Sequence, residues 1–163
     1  MVWFTERQVK ILFVFTGKTS DRAIADLMAD YKNRVSRYFS AEAVEIKTGN
    51  EKNESSRSIK EKEQKEQLKL ISANDFVVML DEKGKEFSSV EFALQMEKWL
   101  ASSGKRLVFI TGGAYGFGDA ILSRANMKIA FSKFTFTHQM IRVLLLEQVY
   151  RAFTIINNQK YHH

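Results

Sequence analysis

Glycines at Gly112, Gly113 and Gly116 follow an apolar run, and this turn is the part of the chain best suited to chemistry. Glycine has no side chain, so the backbone N–H and C=O groups of such a turn stay open to a ligand. The following run, residues 131–153, combines small hydroxyls, one histidine and arginines with a strongly apolar helix. Together the two segments suit the binding of a small polar cofactor by backbone atoms, beside a basic wall.

Each of these signals has a plainer reading. The glycine turn lacks the Lys-Ser/Thr pair of a P-loop, so a tight turn between strand and helix explains it equally well. His138 opens a helix, where a lone histidine serves either catalysis or only the helix start. Asp81, Glu82 and Glu86 follow a strand, where carboxylates are more often caps or solvated charges than acid–base groups. The spacing of the histidines matches no zinc motif, so we expect no metal site.

Composition narrows the class of protein. The chain has 163 residues, which predicts a single domain over 1–163, and it has no cysteine for disulfides or thiolate chemistry. Its net charge of +6 favours a polyanionic partner such as nucleic acid, although a merely basic soluble protein is an equal alternative. No apolar run reaches the roughly 20 residues of a membrane span, and the first ten residues lack a signal peptide. We therefore expect a cytoplasmic protein without a membrane partner.

The elements that must position these residues alternate along the chain. Apolar, β-branched runs predict strands at 10–15, 43–47, 76–80, 106–111 and 129–131. Helical periodicity predicts helices after Ser20 or Asp21, at 60–71, after Ser88 or Ser89, at 119–127, and from Thr137 to about 156, with a polar loop at 51–58. Alternation of this kind predicts an α/β fold with a parallel sheet. Ligands of such sheets bind at the carboxyl ends of strands, which singles out the loops after Leu80, Thr111 and Phe131.

The last helix is apolar over a wide arc, at Val143, Leu144, Leu145, Leu146, Val149 and Phe153. Such a helix is buried on more than one side. The pattern indicates either a subunit interface or a central helix sandwiched within a monomer.

Several ordered motifs resemble one family. They are the runs 16–19, 80–84, 112–116, 131–136, 138–142, 147–152 and 161–162. The chain is similar over nearly its whole length to the ribosomal RNA large subunit methyltransferase H family, a minimal SPOUT methyltransferase. Ala114 and Lys160 stand where many members have proline, which relaxes loop stiffness without deleting a functional group. Residues 1–9 read as an N-terminal extension beyond the family's usual start.

The resemblance implies a parallel-sheet SPOUT-type fold with a C-terminal trefoil knot, whose knot and cofactor region would span 112–156. It implies a homodimer that transfers a methyl group from S-adenosylmethionine to N3 of a pseudouridine in 23S rRNA of the ribosome. By resemblance the cofactor is held at Leu80, Gly112, Gly113, Phe131, Ser132, Lys133, Phe134, Thr135 and Phe136.

The acceptor nitrogen must lose a proton, and His138, Arg142 and Arg151 are the catalytic candidates to accept it or to stabilise the resulting anion. RNA contacts are expected from Arg142, Arg151, Tyr161 and His162. Two alternatives stay open: a non-catalytic basic RNA-binding or ribosome-associated protein of the same fold, and a nucleotide-binding α/β regulator.

Overall fold

The computed structural model describes residues 9–48 and 52–161. In chain order its strands are β1 (Lys10–Thr16), β2 (Ala41–Ile46), β3 (Phe76–Glu86), β4 (Arg106–Thr111) and β5 (Met127–Ala130). They form one sheet in the order β2-β1-β4-β3-β5, and every pair is parallel. The predicted α/β class with a parallel sheet is confirmed.

Five helices cover the sheet: α1 (Arg22–Val35), α2 (Ser56–Leu70), α3 (Ser89–Ser102), α4 (Asp119–Arg124) and α5 (His138–Ile156). Four of them begin at a side chain that accepts a hydrogen bond from the first turn: Asp21, Ser55, Ser88 and Thr137. The starts predicted for α1, α3 and α5 are therefore confirmed.

The helices divide into two layers with separate cores. Helices α1, α3 and α5 pack on one face, where Phe13 and Phe109 of the strands meet Phe92 and Leu146. Helices α2 and α4 pack on the opposite face, around Val108 and its neighbours. Buried side chains on both faces are what apolar runs such as β4 require. The result is one domain of three layers across the described residues.

Helix α5 lies between α1 and α3, and its apolar side chains at Val143, Leu145, Leu146, Val149 and Phe153 are buried within the single chain. The central-helix reading thus accounts for most of the apolar arc without a second subunit. No helix in the described part of the chain has the length and hydropathy needed to cross a membrane.

Some boundaries differ from the sequence prediction. Helix α2 begins at Ser56 rather than near residue 60, because the Ser55 hydroxyl accepts a hydrogen bond from Ser58 N (3.2 Å) inside the predicted loop. Strand β3 does not end at Leu80 but continues to Glu86. Residues 49–51, the last of which begins the predicted polar loop, lie outside the described residues. So does most of the proposed extension, residues 1–8, whereas Val9 is buried.

Candidate active site

A cavity of about 540 Å³ lies at the carboxyl edge of the sheet, and the glycine turn forms part of its lining. Leu80 of β3 and Phe15 of β1 are level there with Thr111, the last residue of β4, because Thr111 pairs with both of them. Loops that leave neighbouring parallel strands therefore converge on one place. Of the nine cofactor residues expected from the sequence, eight line this cavity: Leu80, Gly112, Gly113, Phe131, Ser132, Phe134, Thr135 and Phe136. Lys133 is exposed on the same loop but does not line the cavity.

The glycine turn is closed by its own backbone. Gly116 N donates to Gly113 O (3.1 Å), and Gly116 has φ +76°, a conformation that favours glycine. A Cβ on Gly113 would lie 2.5 Å from the Glu63 carboxylate, and one on Gly112 would lie 3.2 Å from the Phe117 ring. Packing from behind leaves no room for side chains, so the backbone itself forms the cavity wall.

The support behind this turn comes from α2. Glu63 and Gln67 are 2% and 1% exposed, although both lie on a helix rich in charged side chains. Gln67 Nε2 donates to the Thr16 hydroxyl (2.9 Å), and that hydroxyl donates to Thr111 O (2.8 Å) directly before the glycines. The sequence analysis missed these buried polar residues. A glutamine at helical spacing from Ile59 was the only signal for them, and it does not identify a partner.

Strand β3 carries an irregularity beside the cavity. Ile129 pairs with both Leu80 and Lys85, so the four residues between them leave the ladder as a bulge. The Asp81 carboxylate accepts a hydrogen bond from Lys83 N (2.8 Å), and Gly84 lies directly against the Ile129 backbone. The segment predicted as a loop after Leu80 is therefore an irregular part of β3, which pairs with β5 again from Lys85. Asp81, Glu82 and Lys83 all line the cavity, while Glu86 does not.

Aromatic side chains stand at the cavity mouth. Phe134 is 82% exposed, and Tyr115 and Phe136 are also exposed. The Ser132 hydroxyl accepts a hydrogen bond from Phe134 N (2.9 Å), which fixes the turn that presents Phe134. Exposed rings beside a polar backbone surface suit the stacking of a planar heterocycle.

The first turn of α5 forms another wall. His138 and Ile141 line the cavity, and the Thr137 hydroxyl caps the helix at Met140 N (3.3 Å). Gln139 Oε1 accepts hydrogen bonds from the backbone N–H groups of Ser20 and Asp21 (3.1 and 3.0 Å). The turn that carries His138 is thereby fixed to the loop between β1 and α1.

Arg142 does not reach the cavity. Its side chain is 1% exposed and donates to Thr16 O (2.7 Å) and the Thr19 hydroxyl (2.6 Å). Burial lowers the pKa of this guanidinium, an effect that the Glu45 carboxylate at 3.3 Å opposes. Arg142 was expected to contact RNA or the reacting atoms. Within this chain it donates hydrogen bonds to Thr16, the last residue of β1, and to Thr19 in the loop that follows.

Arg151 and Tyr161 lie together near the opposite end of α5. Arg151 forms an ion pair with Glu147 (2.5 Å), which raises the pKa of its guanidinium, and it lies 4.8 Å from the centroid of the Tyr161 ring. The Tyr161 hydroxyl donates to Glu147 (3.2 Å) and lies 3.5 Å from that of Tyr31. Partial burial, first of all, raises the pKa of Tyr161, and these two neighbours add to the effect. Neither Arg151 nor Tyr161 lines the cavity, and His162 lies outside the described residues.

In the described ranges 9–48 and 52–161, no three acidic or histidine side chains are grouped as metal ligands. What the site offers is a backbone cradle, exposed aromatic rings and one imidazole.

Comparisons with known proteins show the family to which this chain belongs. The model of a family described as "Predicted SPOUT methyltransferase" matches residues 9–162. The ribosomal RNA large subunit methyltransferase H of Parabacteroides distasonis is 46% identical over 158 residues, which cover 95% of this chain and 99% of that protein. The protein of the same name from Cytophaga hutchinsonii is 44% identical, over 90% of this chain and 95% of its own length. That from Geotalea daltonii is 40% identical, over 96% of this chain and 99% of its own length.

Proposed function

Since this chain belongs to the SPOUT methyltransferases, and within them to the ribosomal RNA large subunit methyltransferase H family, we propose that it methylates N3 of a pseudouridine in 23S rRNA of the ribosome, with S-adenosylmethionine as donor. The observation that carries this proposal is the cavity bounded by Gly112, Gly113 and His138. It combines a place for a nucleoside-like cofactor with a proton acceptor beside it.

The cavity fits the donor in size and chemistry. About 540 Å³ lies within the range of small-molecule sites. Two glycines whose Cβ positions are closed by Glu63 and Phe117 leave backbone polar groups for the ribose and the amino-acid part. Leu80 and Phe134 supply apolar surface for the adenine ring, and the backbone of residues 131–136 completes the wall.

S-adenosylmethionine, when bound, supplies a methyl group on a sulfonium that is already a good leaving group. The residues of this chain therefore bind and orient the reactants and handle one proton. N3 of the acceptor base is an imide nitrogen, so its proton must leave as the new N–C bond forms. His138 lies on the wall of the same cavity, and histidine is the side chain that most often serves as a general base. We assign it the role of base.

Arg151 is the second catalytic candidate, and its role requires a second subunit. Within one chain Arg151 lies near the far end of α5 from His138. A homodimer in which one subunit offers His138 and the other offers Arg151 would join them in one site. Arg151 would then stabilise the developing negative charge of the imide. Its ion pair with Glu147 keeps the guanidinium oriented.

RNA recognition is proposed for the basic and aromatic groups around this composite site. Arg151 and Lys133 are available for phosphates, and contacts of this kind weaken as salt rises. Tyr161 offers an aromatic face for an unpaired base, and His162 follows it in the chain. A protein that modifies ribosomes acts where they are, so the proposed function places it in the cytoplasm. We also propose that residues 112–156 form the trefoil knot of this family and that residues 1–9 are an extension before its usual start.

A calorimetric titration of purified protein with S-adenosylhomocysteine, the demethylated product, tests the cofactor assignment. We expect saturable binding with one site per chain or per dimer. A thermal-shift comparison with ATP and GTP serves as control. Stabilisation by ATP or GTP, and none by S-adenosylhomocysteine, would instead indicate a nucleotide-binding regulator.

A further inference from the structure

Arg142 is the largest fully buried side chain of the described residues, and it carries a charge. Burial of a guanidinium is costly unless hydrogen bonds replace its water. Here Nη2 donates to Thr16 O (2.7 Å), while Nη1 donates to the Thr19 hydroxyl (2.6 Å) and lies 3.3 Å from the Glu45 carboxylate. The guanidinium also lies 5.5 Å from the centroid of the Phe15 ring. All of these partners belong to β1, β2 or the loop after β1.

Thr16 connects Arg142 to the cofactor turn. Its carbonyl accepts from Arg142, and its hydroxyl donates to Thr111 O (2.8 Å), the residue before Gly112. Gln67 donates to the same hydroxyl (2.9 Å), so its direction is fixed. Thr16, Gln67 and Thr111 are all buried, which makes these bonds strong and costly to lose.

The two ends of this chain of hydrogen bonds, Arg142 and Thr111, belong to segments that form different walls of the cavity. Arg142 follows directly on the turn of α5 that holds His138 and Ile141, whereas Thr111 begins the glycine turn. Neither Arg142 nor Thr16 lines the cavity below the exposed aromatic rings. Their contacts therefore fix the separation of the two walls without touching the ligand.

We propose that Arg142 is a positioning residue, which acts through Thr16 to hold the glycine turn and the first turn of α5 at the separation that S-adenosylmethionine requires. This inference rests on the proposed function, because it assigns the cofactor to that cavity. It predicts that Arg142 governs cofactor affinity rather than RNA affinity.

The test is a calorimetric titration of S-adenosylhomocysteine into the full-length protein, without RNA, for the wild type and four variants. Arg142→Met removes the guanidinium, and Thr16→Val removes only the hydroxyl while keeping the shape. Both are expected to bind at least about tenfold more weakly than wild type. Thr16→Ser keeps the hydroxyl and is expected to stay within about twofold.

Arg106→Met is the matched control. Arg106 is a partly buried arginine that, like Arg142, has a carboxylate partner, Asp75 at 2.6 Å, but it begins β4 at the amino-terminal edge of the sheet, opposite the cavity. We expect this variant to melt at a lower temperature and to keep wild-type cofactor affinity. If Arg142→Met loses cofactor affinity and Arg106→Met does not, the loss comes from the position of Arg142 and not from general destabilisation.

Three results would overturn the inference while the wild type binds. They are unchanged affinity in a folded Arg142→Met protein, equal affinities of Thr16→Val and Thr16→Ser, or a loss in Arg142→Met confined to ribosome binding and its salt dependence. Should Arg142→Met not fold, the Thr16 pair decides alone. Absence of binding by the wild type would contradict the proposed function itself, which is a different result.

Discussion

About 20 Å of helix axis separates His138 from Arg151 on α5, and only His138 lines the cavity. Both residues were expected at the site of proton loss and charge stabilisation. If one reaction uses both, they come from two copies of the chain. The joint use of both residues would therefore require the proposed homodimer, which makes the homodimer testable through these two side chains.

Co-expression of His138→Ala and Arg151→Ala chains tests this arrangement. Each variant alone is expected to be inactive. In random mixed dimers one of the two sites regains both residues, so the mixture should show about a quarter of wild-type methyl transfer. A mixture as inactive as its parents, with mixed dimers demonstrated by two affinity tags, would contradict a shared site.

Gly113→Ala is expected to weaken S-adenosylhomocysteine binding by about tenfold or more, because its Cβ would lie 2.5 Å from the Glu63 carboxylate and the turn must shift. The control is Gly104→Ala, whose Cβ would lie 2.9 Å from Asn74 O in a turn remote from the cavity. Both variants should melt earlier, but only Gly113→Ala should lose affinity in the titration. Equal affinities of the two variants for S-adenosylhomocysteine would show that the glycine turn is not part of the cofactor site.

Lys133 is exposed on the loop that lines the cavity, but it does not face into it. Lys133→Gln should weaken ribosome binding and reduce the slope of log affinity against log salt by about 1, as the loss of one phosphate contact requires. Cofactor affinity should stay unchanged. Lys105→Gln, at the opposite edge of the sheet, is the control. If both variants keep the wild-type salt slope, the RNA does not approach this loop.

Tyr161 is expected to make the free energy of unfolding fall as the pH rises into the alkaline range. Burial and the neighbouring Tyr31 and Glu147 raise its pKa in the folded state, so the unfolded chain loses the phenol proton first. The stabilisation is complete below the unfolded pKa, about 10, and falls as pH rises from there towards the folded value. Urea unfolding between pH 9 and 11 should show a steeper decline for wild type than for Tyr161→Phe. Parallel declines would show that the phenol does not have this shifted pKa.

Those parts of the fold that depend on short-range interactions could be predicted from the sequence. The apolar β4 run, the glycines after Thr111 and the cap at Thr137 specify a strand, a turn and a helix start through short-range interactions. Because carboxyl ends of parallel strands meet at one edge, the cavity could also be placed before its geometry was known. Eight of the nine expected cofactor residues do line it.

What the sequence could not show is which polar groups pair across the fold. Arg142 and Arg151 look alike on the same apolar helix, yet one is buried against Thr16 and the other lies beside Glu147 and Tyr161. Gln67 sits in a charged helix and still ends in the core. Helical spacing records the face of a residue but not its long-range partner, and these contacts join elements far apart in the chain.

Methyl transfer to ribosomes is the most direct measurement of the central claim. The purified protein would be incubated with S-adenosylmethionine labelled in its methyl group and with ribosomes that lack the modification, and the labelled nucleoside in 23S rRNA would be identified by mass spectrometry. The account predicts label in a pseudouridine, on N3, with none from a His138→Ala protein. Folded wild-type protein that binds the ribosomes but transfers no label, or label on another base, would contradict it.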